Sequence, residues 1–241
     1  MISTLAVITL RSLLNRRRTV LLALASALVV LIAALFRLSS PTDSEALRFA
    51  GRLLADFGIG VVVPLVAVIV GTAAIGSEIE DGTIVYLLSK PVPRLAIVAV
   101  KLLVSWAVAS AIVVPGIWLG GLVATGGNPG LGTAYAVAAI VAGLEYTAIF
   151  VALSLVSSRA LVIGLAYVVV WEGVVAGLFE GTRSLSVRQH ALTVADALGG
   201  QGAVPATLGV EAIVVLALVT AGAFVIAVRR LERVELRGET G

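Results

Sequence analysis

The chain has 241 residues, 60% of them hydrophobic and 13% charged, with a formal net charge of +3 and a mean hydropathy of +1.12. That balance lies far from the soluble average and describes a polytopic membrane protein with no room for a soluble domain. The absence of cysteine excludes a disulfide framework and a thiolate metal site. The pI near 9.7 reflects Lys and Arg flanking apolar runs, not a nucleic-acid-binding face.

Residues 2–18 place Ile2, Ala6, Leu10, Leu13 and Leu14 along one helical stripe, with Thr4, Arg11, Asn15 and Arg18 opposite. This predicts an amphipathic helix in the membrane interface before the first span. The run 19–36 starts basic, as signal peptides do, but it has about spanning length and no small-residue cleavage site, so it reads as a retained span. Thr42-Asp-Ser-Glu45 is a capping box opening a short amphipathic helix. That helix carries Glu45, Arg48, Arg52 and Asp56 on one face and Leu47, Ala50, Leu54 and Phe57 on the other.

Further apolar runs at 58–76, 96–124, 134–155, 161–179 and 207–228 complete six predicted spans, judged against the roughly 20 residues a bilayer requires. All belong to one transmembrane domain, 1–241. Pro115-Gly116 predicts a kink or break in the third run, and Pro64 and Pro115 are candidate bending points. Gly116-x-x-x-Gly120 and Gly173-x-x-x-Gly177 have the small-residue spacing that lets helices touch. The Gly-rich, polar segment 180–206 is expected to hold a short amphipathic or re-entrant piece, with His190 as a loop residue at the outer surface.

With both termini inside, Arg11, Arg16, Arg17, Arg18, Lys90, Arg94, Lys101, Arg159, Arg229, Arg230, Arg233 and Arg237 fall on the cytoplasmic side. Only Arg37, Arg48, Arg52, Arg183 and Arg188 of the 17 Lys and Arg fall outside. The positive-inside rule therefore predicts cytoplasmic termini. The Ala, Val and Gly share suggests a GC-rich bacterial source.

Three carboxylates fall inside predicted spans. Glu145 and Glu172 each lie about eleven residues, roughly 16 Å at the helical rise, from one end of their runs. Both are thus near mid-depth and are translocation-path candidates. The other reading is structural, with hydrogen bonds through Tyr146, Thr147, Tyr167 or Trp171. Glu211 lies about one turn from the outer end of its run and can snorkel.

No Gly-x-x-x-x-Gly-Lys-Ser/Thr occurs, so the chain is expected to lack P-loop ATPase chemistry. One histidine cannot build a histidine metal cluster, and nothing near it resembles a nucleophile elbow. The expectation is no catalytic residue, no metal and no enzyme activity in this chain.

The segment between the second and third runs carries more structure than a simple connection needs. Ser77 can cap a helix with Glu78, Glu80 and Asp81 in its first turn, where acids favour the positive helix end. Ile84, Leu87 and Leu88 make an apolar stripe, and Pro91-Val-Pro93 ends the helix. The pattern Glu78-x-x-Asp81-Gly82-Thr83-Ile84-x-x-Leu87-Leu88-x-x-Pro91-Val92-x-Arg94, followed by Lys101, resembles the corresponding loop of ABC-2 type transporter permeases. The Trp171-Glu172 pair resembles members of that family as well. The likeness is specific over Gly76 to Lys101 and architectural elsewhere. The signature near the fifth span that marks many drug-resistance members is not found, so antibiotic export does not follow from it.

The resemblance implies an all-α, six-span membrane subunit of an ATP-binding-cassette exporter, with an interfacial helix before span one and a coupling helix between spans two and three. It implies a dimer with a second copy or a related permease, acting on separate ATPase subunits that hold the ATP and Mg2+. Glu78, Asp81, Gly82, Thr83, Leu87, Leu88, Pro91 and Arg94 would form the ATPase-docking surface. Leu87 and Leu88 would anchor in a groove while Glu78 and Arg94 set register at its rim. The competing readings are a proton- or ion-coupled secondary transporter using Glu145 and Glu172, and a membrane scaffold that transports nothing.

Overall fold

The computed structural model describes residues 2–14, 16–80, 82, 92–199, 203–206, 208, 209 and 211–238, which form helices and turns and no strand. In chain order these are α1 (Ile2–Leu13), α2 (Arg16–Arg37), α3 (Asp43–Arg52), α4 (Val63–Glu80), α5 (Arg94–Ala124) and α6 (Pro129–Val156). Then come α7 (Ala160–Ala166), α8 (Ala176–Leu178), α9 (Val187–Gly199) and α10 (Glu211–Gly238). π-helical stretches at Leu53–Val62 and Tyr167–Val175 join α3 to α4 and α7 to α8, and a 3-10 turn spans Glu180–Leu185.

Among the described residues, five helices are long and apolar enough to cross a membrane: Arg17–Arg37, Asp43–Ile79, Arg94–Ala124, Pro129–Val156 and Glu211–Arg233. The predicted fifth run, 161–179, is the exception to six equal spans. Its apolar helix covers Ala160–Val175 and is shorter; after Leu178 the chain folds back through the 3-10 turn.

The predicted outer helix is also not separate from the second span. Its capping box forms, with Glu45 Oε2 accepting from the Thr42 backbone N–H at 2.9 Å and from the Thr42 hydroxyl at 2.7 Å. The helix then continues without a break into the membrane segment. Ala46, Ala50, Leu53 and Leu54 are buried against the bundle, so helical register is kept instead of a turn being inserted.

The bundle has a "Thr42 end" and a "Gly82 end". α6 is central and packs against α4, α5, α9 and α10, while α1 and α2 pack on α5. α2 and α10 are the least buried of the long helices. Leu21, Leu24 and Leu35 on α2, and Ile213, Val214 and Leu218 on α10, point outward, as a lipid-facing surface requires. In α1 the buried stripe is Thr9 and Leu13, whereas Leu10 and Leu14 are exposed. The predicted apolar stripe is therefore split between protein and surroundings.

Gly116 and Gly120 set the distance between α5 and α2. A Cβ on Gly116 would overlap the Ser26 backbone, and one on Gly120 would sit 2.8 Å from Val29 Cγ1. The Ser26 hydroxyl donates to the Val113 carbonyl at 3.3 Å across the same contact. Pro115 is carried inside α5 without ending the helix. Gly116→Ala is expected to cost about 1–3 kcal/mol through overpacking, read as a lowered thermal midpoint in detergent. Gly173, of the second small-residue pair, makes no such close approach, since a Cβ there would meet only its own helix, at the Val168 carbonyl.

Candidate functional site

Two buried polar constellations stand out, one at each of the regions singled out from the sequence. The first lies where α4 and α5 bracket the loop. Lys101 is fully buried on α5, and its Nζ donates to Glu78 Oε1 at 2.6 Å and to the Ala74 carbonyl at 2.7 Å. A buried ammonium is tolerated only when paired and hydrogen-bonded, and the last turns of α4 supply both conditions. Glu78 is 22% exposed at its side chain and turned toward Lys101.

Ser77 does not cap a helix start. Its hydroxyl donates to the Ala73 carbonyl at 2.8 Å, a back-bond inside a helix, and α4 runs on to Glu80. The Lys101 pairing favours that continuation by drawing Glu78 inward. Gly82 has φ +67, and its N–H donates to the Ile79 carbonyl at 3.2 Å. This left-handed residue, for which glycine is favoured, terminates α4. Arg94 opens α5 after Pro93. Asp81, Thr83, Leu87, Leu88 and Pro91, with the predicted coupling helix they belong to, lie outside the described residues.

The second constellation gathers around α9 both acids predicted to lie at mid-depth. Glu145 on α6 is fully buried, with both carboxylate oxygens 3.1 Å from Nδ1 of His190. His190 Nε2 lies 2.9 Å from the Ser184 carbonyl, so both ring nitrogens are engaged. Glu172, in the second π-helical stretch, accepts from the Ser186 hydroxyl at 2.5 Å, the Val187 backbone N–H at 2.9 Å and the Tyr167 hydroxyl at 3.2 Å. It thereby caps the first turn of α9 with negative charge, the favourable arrangement at a helix N-terminus. Arg188 reaches Asp56 in the first π-helical stretch at 2.5 Å. The buried Tyr146 hydroxyl lies beside Glu172 and Tyr167 in a geometry that completes no hydrogen bond.

His190 is thus not a surface loop residue: it is 1% exposed. Burial alone would lower its pKa, but the hydrogen bond and charge of Glu145, with the Ser184 carbonyl, outweigh that and raise it. The fold-back after Leu178 returns Ser186 and Val187 to the depth of Glu172. α9 then runs beside α6 until Gly199 packs against Leu131 and Ala134, and the Val204 N–H donates to the Tyr135 hydroxyl at 3.1 Å. The segment 180–206 thus holds a short helix, Val187–Gly199, packed against α6. Glu211 stands apart, at the first residue of α10, accepting from the Gly209 N–H at 2.8 Å.

Sequence reasoning named Lys101 as a cytoplasmic cation and as the residue closing the loop pattern, and missed its burial. The signal was present: it is a lone charge inside an apolar run, about two helical turns after Arg94 and in phase with it. No local signal pairs His190 with Glu145, which are 45 positions apart.

The architecture defines a multi-pass α-helical membrane protein with an apolar core, a few buried polar clamps within it, and an outward-facing apolar surface on its least buried helices. Residues 14–179 match the family described as ABC-2 family transporter protein. The chain belongs to that family and is a permease subunit of an ABC transporter. No curated protein matches the chain.

Proposed function

We propose that this permease is the membrane half of an exporter in the cell membrane, with cytoplasmic termini, powered by a separate ATPase that holds the ATP and Mg2+. It works as a dimer with itself or a related permease. The observation that carries the reading is the Lys101–Glu78–Ala74 clamp, which ties together the two helices bracketing residues 81–93. A docking element between helices so joined can pass motion into the bundle, whereas a loop on independent helices would dissipate it.

In this reading Asp81, Gly82, Thr83, Leu87, Leu88, Pro91 and Arg94 meet the ATPase, and Glu78 acts behind them as a positioning residue. Glu145 and Glu172 hold α9 in place, because their carboxylate oxygens are already taken by His190, Ser186, Val187 and Tyr167. The secondary-carrier alternative would use them as proton or ion sites.

Purification from the native host in mild detergent, with mass spectrometry of retained proteins, tests the proposal. The wild type is expected to retain an ATPase, and the Leu87→Asp/Leu88→Asp variant to lose most of it. Equal retention by both removes the docking role. Proton-driven flux without nucleotide, abolished by Glu145→Gln, would support the carrier instead.

A further inference from the structure

A cavity of about 570 Å3 opens at the Gly82 end, between the start of α2, the last turns of α4, the end of α6 and the start of α7. Arg18, Ser77, Ser154, Ser157, Ser158 and Arg159 give it a polar lining. We propose that it is a binding site for a phosphate-bearing anion, and that in the membrane this anion is the phosphodiester headgroup of a phospholipid.

Charge gives the sign of the ligand. Two guanidinium side chains line the cavity, and no carboxylate is among the described lining residues. Nε and Nη2 of Arg18 are buried and have no hydrogen-bond partner. Buried donors of a charged group are costly to leave unmet. A guanidinium edge presents parallel N–H groups with the spacing of two phosphate oxygens, a match that favours phosphate over a simple halide.

The backbone adds to this. The first hydrogen bond of α7 runs from the Ile163 N–H to the Arg159 carbonyl, so the N–H groups of Ala160, Leu161 and Val162, which line the cavity, have no partner in their own helix. The helix continues to Leu178, and its dipole adds partial positive charge at that mouth. The Ser157 hydroxyl oxygen accepts from the Arg159 N–H at 3.2 Å, which leaves its proton free to donate.

The flank of the cavity identifies the source. Leu161 and Val162 are 44% and 66% exposed beside the polar mouth, and Ile69 lines the wall behind. A free phosphate has no use for an apolar ledge, whereas the glycerol and acyl chains of a lipid would lie along one. Binding here needs no nucleotide, so the inference stands or falls apart from the ATPase reading.

The full-length protein in neutral detergent can be titrated with phosphatidylglycerol and, separately, with inorganic phosphate. Native mass spectrometry reads lipid retention, and 31P NMR line broadening reads phosphate binding. Wild type is expected to retain phosphatidylglycerol and to prefer it over phosphate. Arg18→Gln and Arg159→Gln should each weaken retention about tenfold, as loss of charge-assisted hydrogen bonds requires. Arg17→Gln, at an exposed neighbour outside the lining, should change nothing, and Arg18→Lys should restore part of the loss. Arg159 is exposed, so its variant separates binding from folding. Phosphate binding without lipid retention would overturn the lipid as the source. Unchanged binding of both probes in both glutamine variants would overturn the site.

Discussion

Glu78→Ala is expected to destabilise the protein by about 3–5 kcal/mol, the usual cost of stranding one member of a buried ion pair. The asymmetry of the pair decides which variant suffers more. Lys101 is entirely buried, whereas the Glu78 side chain keeps 22% of its surface. Removing Glu78 leaves an ammonium with only the Ala74 carbonyl as a described partner. Removing the charge by Lys101→Met instead leaves a carboxylate that can turn toward water, and should cost less. Reversible unfolding of the full chain in mixed micelles would rank the variants as wild type, Lys101→Met, then Glu78→Ala. Equal losses would show that the pair is not desolvated as described. A double variant should recover part of the loss, since the two residues interact directly.

His190→Ala should be nearly as damaging, because it leaves the Glu145 carboxylate, fully buried, without the partner that both its oxygens share. A loss of about 3–5 kcal/mol is expected if the pair is ionised, and Glu145→Gln, which keeps a hydrogen-bonding amide, should lose about 1–2 kcal/mol. The damage should be local before it is global: amide exchange should quicken over Val187–Gly199 while the core of α6 stays protected. The same probe reads the imidazole's titration. Its pKa is raised in the folded protein, so its stabilising contribution is complete below the unfolded value of about 6.5. It is lost as pH rises through the folded value. Exchange over α9 should therefore accelerate with pH beyond the ordinary base-catalysed increase, and His190→Ala should abolish that excess.

Much of this fold is written in local pattern. A capping residue and its partner three positions on are enough to mark Thr42 and Glu45, because that chemistry is complete within one turn. Gly116 and Gly120 show as a spacing, and the long apolar runs show as length. What could not be read locally is where the chain abandons its period. The outer helix and the second span differ in composition, so they read as two elements. Only the burial of Leu53 and Leu54 against the bundle shows that the backbone never leaves its helical path. His190 had the polar, glycine-rich surroundings of a surface loop, and its true neighbour, Glu145, belongs to another helix. Lys101 fitted the charge rule for helix ends so well that the rule hid its partner. In each case the missing information was a contact between distant positions, which neither periodicity nor charge counting encodes.

The unbroken stretch Asp43–Ile79 contains 37 residues, roughly 55 Å at the α-helical rise and somewhat less through its wider π turns. A hydrocarbon layer is about 30 Å thick. The protein thus carries its own ruler: the separation of Glu45 from Glu78 is fixed by backbone hydrogen bonds, whatever lipid surrounds them. A thicker or thinner bilayer changes how far this rod leans or emerges, not how long it is. Its length exceeds the slab in either case.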